Sequence, residues 1–163
     1  WDANPEVWNR HAPILFPFVG KVADGVYRIG EKEYTMKTQH GFARDMEFEC
    51  VEETAVAVTH RLVATEKTKE IYPFDFEVLV THRLDAENPR LLHIEWEVRN
   101  CGDTLMYYSI GGHPAFTLPV KESAEREAYY LKFTGSDSLS YIGVNPDNGL
   151  ADVSKVKELN MIC

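Results

Sequence analysis

The fold class of this chain is decided by the sequence Phe76-Glu77-Val78-Leu79-Val80-Thr81-His82-Arg83-Leu84. Apolar side chains such as Val78 and Val80 recur at every second position, and polar side chains such as Thr81 and Arg83 stand between apolar ones. Because successive side chains of a β-strand point to opposite faces of its sheet, this alternation predicts a strand with one apolar and one more polar face. Such strands are typical of antiparallel sheets that pack on one side.

The same alternation recurs on both sides of this stretch, at residues 55–62 and 91–98. Clusters of Gly, Asn, Asp and Pro separate these strands, as expected of turns. No linker or low-complexity tract interrupts the chain, so we predict one all-β domain over residues 1–163, an antiparallel β-sandwich. The other predicted elements are a hairpin of residues 26–29 and 34–36 around Gly30-Glu31-Lys32, strands at 104–110 and 129–134, turns at 85–89, 100–103 and 135–137, and a short helical turn at 153–159.

The composition is that of a globular protein. The chain has 163 residues, of which 44% are hydrophobic and 26% are charged. Its net charge of -9 would repel a phosphate backbone, so we expect no nucleic-acid partner. No run approaches the roughly 18 apolar residues that a membrane span needs, and no charged-then-apolar leader is present, so we expect no membrane association.

The cysteines indicate the compartment. Cys50, Cys101 and Cys163 are odd in number and widely spaced. This arrangement suits a reducing cytosol better than a disulfide framework or a zinc site, and we therefore expect a cytoplasmic protein.

The first candidate functional residue lies in Tyr107-Tyr108-Ser109-Ile110-Gly111-Gly112-His113-Pro114-Ala115-Phe116. The two glycines allow other groups to approach the backbone closely, and Pro114 favours an extended conformation for the residue before it. His113 is therefore expected to be held at the end of a strand, where an imidazole with an ordinary pKa of about 6.5 can exchange protons near neutral pH. The alternative is a structural histidine bonded to a loop carbonyl.

A second histidine beside a glycine occurs in Gln39-His40-Gly41-Phe42-Ala43-Arg44-Asp45. The segment Asn9-Arg10-His11-Ala12-Pro13-Ile14-Leu15-Phe16-Pro17 precedes it, and Tyr72-Pro73-Phe74-Asp75-Phe76 follows it. In this order the four motifs resemble the aldose 1-epimerase (galactose mutarotase-like) family, and within it the branch of LacX-type proteins and hexose-6-phosphate epimerases. The resemblance extends from residue 1 to about residue 133.

This resemblance implies the large twisted β-sandwich of the mutarotase fold. It also implies an isomerase that interconverts the α and β anomers of a hexose or hexose phosphate by opening and reclosing the sugar ring. By motif, His113 matches the family histidine that protonates the ring oxygen, and His40 matches the one that hydrogen-bonds near it. The implied partner is a small sugar, with no metal and no other cofactor.

The resemblance also points to residues that bind the sugar. Gly112 would let the sugar approach the backbone, and Lys21 stands where the family usually has an arginine, so that it keeps the charge but loses the planar fork. Arg44 is a guanidinium within reach of His40, and its alternative role is a surface salt bridge with Asp45 or Glu47.

Tyr72 is the best candidate for an apolar platform beneath the sugar ring, because Pro73 restricts its backbone at the start of a strand. Packing in the core is the more common use of such an aromatic residue and is the favoured alternative.

The general base has no match in the sequence. In the family it is a glutamate in the C-terminal half, in a Glu-Pro-Trp-like context, and none of Asp45, Glu95 and Glu97 has flanking residues that mark it as this base. We therefore expect the 163 residues to be an incomplete family domain that is inactive alone. The alternative function is a non-catalytic carbohydrate-binding β-sandwich.

The sequence Val-Thr-His-Arg-Leu occurs twice, at residues 58–62 and 80–84. It places His60 and His82 at equivalent positions of neighbouring strands, with His93 nearby, and histidines in such positions are able to ligate a metal. No carboxylate or cysteine joins them at ligand spacing, so we favour strand residues without a metal.

Overall fold

The architecture consists of antiparallel β-strands around an aromatic core. The computed structural model of the chain describes residues 1–120, 124–135 and 138–160. The elements, in chain order, are β1 (Ile14–Leu15), β2 (Val26–Ile29), β3 (Lys32–Thr35), β4 (Glu49–Glu53), β5 (Ala57–Val63), α1 (Glu66–Ile71), β6 (Phe76–Leu84), β7 (Leu92–Asn100), β8 (Gly111–Gly112), β9 (Ser138–Val144) and β10 (Ala151–Asn160).

The largest sheet has the strand order β4-β5-β6-β7, and it confirms the three strands predicted from alternation. Val80 in the middle of β6 lies opposite His60 of β5 and Trp96 of β7. Directly opposed residues share a face, so these three side chains form one row across the sheet. The other face is the more polar one, as predicted, and carries ion pairs such as that of Arg83 with Glu95 (2.8 Å).

Aromatic side chains form the core beneath this sheet. Phe16 and Tyr72 are fully buried, and Phe76 of β6 is 2% exposed. Their rings meet at centroid distances of 5.2–5.9 Å, mostly edge to face or tilted, which is the geometry that aromatic pairs prefer. Each fully buried apolar side chain of this size contributes about 1.5–3 kcal/mol to folding, so this cluster is a major source of stability.

Residues 13–17 lie between the two histidine motifs and bind both. On one side β1 pairs with β8, the Gly111–Gly112 strand that precedes His113. On the other side the carbonyl oxygen of Phe16 accepts hydrogen bonds from the amides of Phe42 (3.0 Å) and Ala43 (3.1 Å). A single extended segment therefore fixes the relative positions of two motifs that are far apart in sequence.

Gly41 makes the second of these contacts possible. Its φ is 71°, in the left-handed region that favours glycine. A Cβ at this position would lie 2.2 Å from the carbonyl oxygen of Phe16, much closer than two such atoms can approach. Both the backbone conformation and the lack of space thus exclude a side chain here.

Residues 104–110 do not form the predicted strand. They run beside residues 17–19, where the Ser109 amide donates to the Pro17 carbonyl oxygen (2.9 Å). Regular strand pairing begins only after them, at β8. Pro17 has no amide hydrogen, so a regular ladder cannot continue past β1.

The C-terminal part also differs from the prediction. Residues 129–134, predicted as a strand, do not form a regular strand in the structure. Residues 153–159, predicted as a helical turn, belong to β10, which pairs regularly with β9 from Val156 onward. A register irregularity between Ala151 and Val156 explains why the strand pattern is weak. Cys163 and two residues of the predicted turn 135–137 lie outside the described residues.

The hairpin of β2 and β3 is confirmed, with its turn at Gly30-Glu31. In the part of the chain that the structure describes, no helix has the length and apolar character needed to cross a membrane.

Candidate active site

His113 is held in place by backbone and ring contacts. Its amide donates to the carbonyl oxygen of Pro13 (3.2 Å). The indole of Trp8 lies against its imidazole, with ring centroids 4.7 Å apart. The carbonyl oxygen of Trp8 is itself bonded to the Trp1 indole (2.9 Å). An imidazole confined in this way is presented in a defined direction, which is what proton transfer to a bound substrate requires.

His40 has a left-handed backbone, with φ of 68°. This conformation is uncommon for a residue with a Cβ and has to be stabilised by its surroundings. The stabilisation is a reciprocal pair with Gly20: the His40 amide donates to the Gly20 carbonyl oxygen (2.7 Å), and the Gly20 amide donates to His40 Nδ1 (3.0 Å). Because Nδ1 accepts a hydrogen bond, the neutral imidazole carries its proton on Nε2.

The two imidazoles meet edge to face, with centroids 6.0 Å apart. Burial lowers the pKa of His40 below its ordinary value, and the positive charges of Arg44 and His113 lower it further. His40 is therefore biased toward its neutral form, in which Nε2 is a hydrogen-bond donor.

A cavity of about 830 Å³ lies between the β5–β7 part of the sheet and the segments that carry the two motifs. Its size is within the range of ligand sites. Three predicted site residues line it: Arg44, Gly112 and His113. His40 does not line this cavity, but its ring contacts that of His113. Other lining residues are Arg10, Met46, Phe48, His60, His82 and Trp96.

Two arginines share one carboxylate at the cavity. Arg10 Nη1 lies 2.5 Å from Asp45 Oδ1, and Arg44 Nε lies 3.6 Å from Asp45 Oδ2. The salt bridge predicted as the alternative role for Arg44 is therefore present, in a residue that also lines the cavity. Two positive charges against one negative charge leave this wall cationic. The Arg44 Nε atom is buried and has no hydrogen-bond partner among the residues that the structure describes.

Lys21 does not lie at the cavity. Its Nζ donates to the carbonyl oxygen of Asn148 (3.0 Å), in the loop between β9 and β10. The neighbouring residue Gly20 contributes to the site instead, because its backbone holds His40. The structure therefore does not bring Lys21 and Arg44 together at one site.

Tyr72 is fully buried in the aromatic core, and its hydroxyl donates to the carbonyl oxygen of Tyr107 (2.9 Å). It does not line the cavity. Its position matches core packing, the alternative given for it above, and it is not a platform for a ligand in this cavity.

The histidines of the sheet do not form one cluster. The strand register places His60 and His82 on the cavity face, and it places His93 on the opposite face. There His93 Nε2 lies 2.9 Å from Asp85 Oδ2, and this hydrogen bond is the main cause that lowers the pKa of Asp85 to about 2. Within the described ranges, no group of three or more His, Cys, Asp or Glu residues is placed to hold a metal.

The cavity lacks an evident base. Glu95 and Glu97 lie on the opposite face of the sheet and bind Arg83 and Arg99. Asp45 is engaged by the two arginines described above. Among the residues described by the structure, no aspartate or glutamate lines the cavity.

Sequence reasoning missed three aromatic or cationic residues of the site: Trp8, Arg10 and Trp96. Arg10 lies inside one of the four motifs, at residues 9–17, and this position was the sequence signal that could have identified it. Trp96 lies on the apolar face of a correctly predicted strand, but nothing in the local sequence indicates which segment that face meets.

The titration of His40 gives a direct check of this geometry. We expect an NMR titration midpoint below 6.5, with unprotonated Nδ1 at neutral pH, because protonation would break the hydrogen bond from Gly20. As the folded-state pKa is depressed, the stabilising contribution of neutral His40 is present above about pH 6.5 and is lost as the pH falls through the folded pKa. A His40→Gln variant assigns the signal; a midpoint at or above 6.5, or a proton on Nδ1 at neutral pH, would contradict the geometry.

Comparison with known proteins gives the family. The chain matches the family model for aldose 1-epimerase over residues 1–157. The plasmid form of protein LacX from Lactococcus lactis subsp. lactis is 34% identical over 158 residues, which cover 94% of this chain and 52% of LacX. The chain therefore spans about half the length of the curated relatives it matches.

Solved structures agree with this match. A galactose mutarotase related enzyme from Lactobacillus acidophilus has a TM-score of 0.85 and 33% identity, covering 99% of this chain and 54% of that chain. A galactose mutarotase-like protein from Lactobacillus casei has a TM-score of 0.72 and 29% identity, covering 99% and 56%. These similarities confirm the predicted all-β mutarotase-like fold, and with the match over nearly the whole sequence they establish that this chain belongs to the aldose 1-epimerase family.

Proposed function

We propose that this chain is part of a carbohydrate isomerase that interconverts the α and β anomers of a hexose or hexose phosphate. Family membership supports a role in carbohydrate epimerisation. The chain spans about half the length of its relatives, and we propose that residues 1–163 supply one part of a single aldose 1-epimerase-like domain. The experiments below use the parent protein, meaning the longest natural polypeptide that contains these 163 residues.

The observation that carries the proposal is the placement of His113. It lines the cavity while the Pro13 carbonyl and the Trp8 ring hold it. In the proposed reaction the imidazolium gives a proton to the ring oxygen as the bond between C1 and that oxygen breaks. A base removes the C1 hydroxyl proton, and the electron pair of that O–H bond forms the aldehyde carbonyl. Rotation about the C1–C2 bond and the reverse steps then give the other anomer.

The neighbouring histidine would assist in its neutral form. Two imidazoles this close do not readily carry a charge at the same time. The lowered pKa of His40 favours its neutral form, and we assign the proton-donor role to His113 because it is the histidine of the pair that lines the cavity. The Nε2–H group of His40 would then act as a hydrogen-bond donor near the ring oxygen.

The base in this proposal comes from outside the described cavity lining. No carboxylate among the described residues lines the cavity, and its open side leaves room for one. The same observation supports the second candidate function, a carbohydrate-binding protein that retains the cavity and does not catalyse.

We also propose a cytoplasmic location, from the spacing of the cysteines.

Replacement of His113 tests the catalytic role. In the parent protein, His113→Asn should lower kcat for mutarotation of glucose or galactose by about a hundredfold or more, with a small change in KM, as expected for loss of general acid catalysis. Polarimetry measures the rate against the same buffer without protein, because sugars also mutarotate spontaneously.

The matched control is His93→Asn, which changes a histidine on the opposite face of the sheet and should leave kcat unchanged. An unchanged rate in the His113→Asn variant would remove His113 from the mechanism. Sugar binding by a parent protein that has no activity above buffer would favour the binding protein instead.

The cationic wall of the cavity supports a phosphorylated hexose as substrate. A phosphate near Arg10 and Arg44 would form charge-assisted hydrogen bonds and would give Arg44 Nε a partner. Arg44→Ala should therefore weaken binding of glucose 6-phosphate to the parent protein about tenfold or more and should reduce its salt dependence, as measured by calorimetry at two salt concentrations.

The matched control is Lys21→Ala, because this lysine binds Asn148 away from the cavity and its removal should change neither quantity. Equal salt dependence of binding for glucose 6-phosphate and glucose, or tighter binding of glucose, would contradict the phosphate assignment and leave a free aldose as the substrate.

A further inference from the structure

Trp96 occupies a wall of the cavity beside His113. It lies in β7 opposite Val80 of β6, which in turn lies opposite His60 of β5. This row of imidazole, isopropyl and indole groups crosses the cavity face of the sheet, and all three residues line the cavity. His82 lies on the same face and also lines the cavity, so that polar imidazoles stand near a large apolar ring.

The indole of Trp96 lies directly against the backbone of Gly112. A Cβ on Gly112 would be 2.8 Å from Cη2 and 3.0 Å from Cζ2 of the indole, so Trp96 occupies the space that a side chain there would need. Gly112 immediately precedes His113 in the chain. The position of the indole is therefore tied to the position of the proposed acid.

Trp96 is 41% exposed, although tryptophan is among the most hydrophobic side chains. Its exposed surface faces a cavity that also presents Arg44, His82 and His113. An apolar wall with a few convergent polar groups is the usual composition of a small-molecule site. A pyranose has the matching surface, because its C–H groups form an apolar face and its hydroxyls extend from the rim of the ring.

We propose that Trp96 is the platform on which the pyranose ring lies, and that His60 and His82 hydrogen-bond hydroxyls of the same sugar. Trp96 thus replaces Tyr72 in the role of platform. This assignment rests on the proposed function, since it uses the same cavity. It also gives a reason for Gly112: the residue lacks a side chain because the indole needs the space.

Kinetics of Trp96 variants test the platform. In the parent protein, Trp96→Leu should raise KM for glucose or galactose about tenfold and leave kcat nearly unchanged, because stacking contributes equally to the ground state and the transition state. Trp96→Phe keeps an aromatic face and should stay within about threefold of the wild-type KM. Leu92→Ala is the matched control, because Leu92 is exposed on the same face of β7 and does not line the cavity.

A double-mutant cycle tests the contact with Gly112. Gly112→Ala should raise KM when Trp96 is present, because the new methyl group displaces the indole. In the Trp96→Leu background the same change should have a much smaller effect. Equal effects of Gly112→Ala in both backgrounds would show that the glycine does not serve the indole.

A binding measurement separates this inference from the proposed function. In the His113→Asn parent protein, galactose should still shift the indole N–H resonance of Trp96, which the Trp96→Phe spectrum assigns. A shift in a wild-type parent protein that has no mutarotase activity above buffer would support the platform while the catalytic proposal fails. The assignment is overturned if galactose binds without moving that resonance, or if Trp96→Leu lowers thermal stability and leaves KM unchanged, since Trp96 would then pack against another polypeptide segment.

Discussion

The carbonyl oxygen of Phe16 accepts two amide hydrogen bonds, from Phe42 and Ala43, and lies so close to Gly41 that a side chain at position 41 would not fit. This contact brings the segment that carries His40 against residues 13–17. The other edge of the same segment pairs with β8 and bonds the amide of His113. The Phe16 ring anchors the arrangement in the aromatic core. The segments that carry the two candidate catalytic histidines are therefore both positioned by one short stretch of chain.

The sheet supplies the other wall of the site, because alternate residues of each strand point to opposite faces. Strand register places His60, Val80 and Trp96 on the cavity face, whereas His93 and the carboxylates Glu95 and Glu97 lie on the other face. The polar face uses its charges in ion pairs with arginines. This division explains why the sheet contributes imidazole and indole groups to the cavity but no carboxylate.

Much of the fold could be predicted from the sequence, because alternation over seven to nine residues defines a strand and its faces, as in β6. The two histidine motifs were also recognisable, since Gly111, Gly112 and Pro114 restrict the backbone around His113. Long-range contacts could not be predicted. Three examples are the burial of Tyr72 in the core, the bond of Lys21 to Asn148 and the packing of Trp96 beside Gly112. Each depends on which segments of the chain meet, and the local sequence pattern carries no information about these meetings. β10 was missed because its register is irregular.

The most direct test of the central claim is a crystal structure of the parent protein with a hexose bound. The ring oxygen should lie within hydrogen-bond distance of the His113 imidazole, and one C–H face of the sugar should rest on the indole of Trp96. His40 should remain bonded to the Gly20 amide through Nδ1. A sugar bound outside the cavity, or one whose ring oxygen lies beyond the reach of His113, would contradict the account.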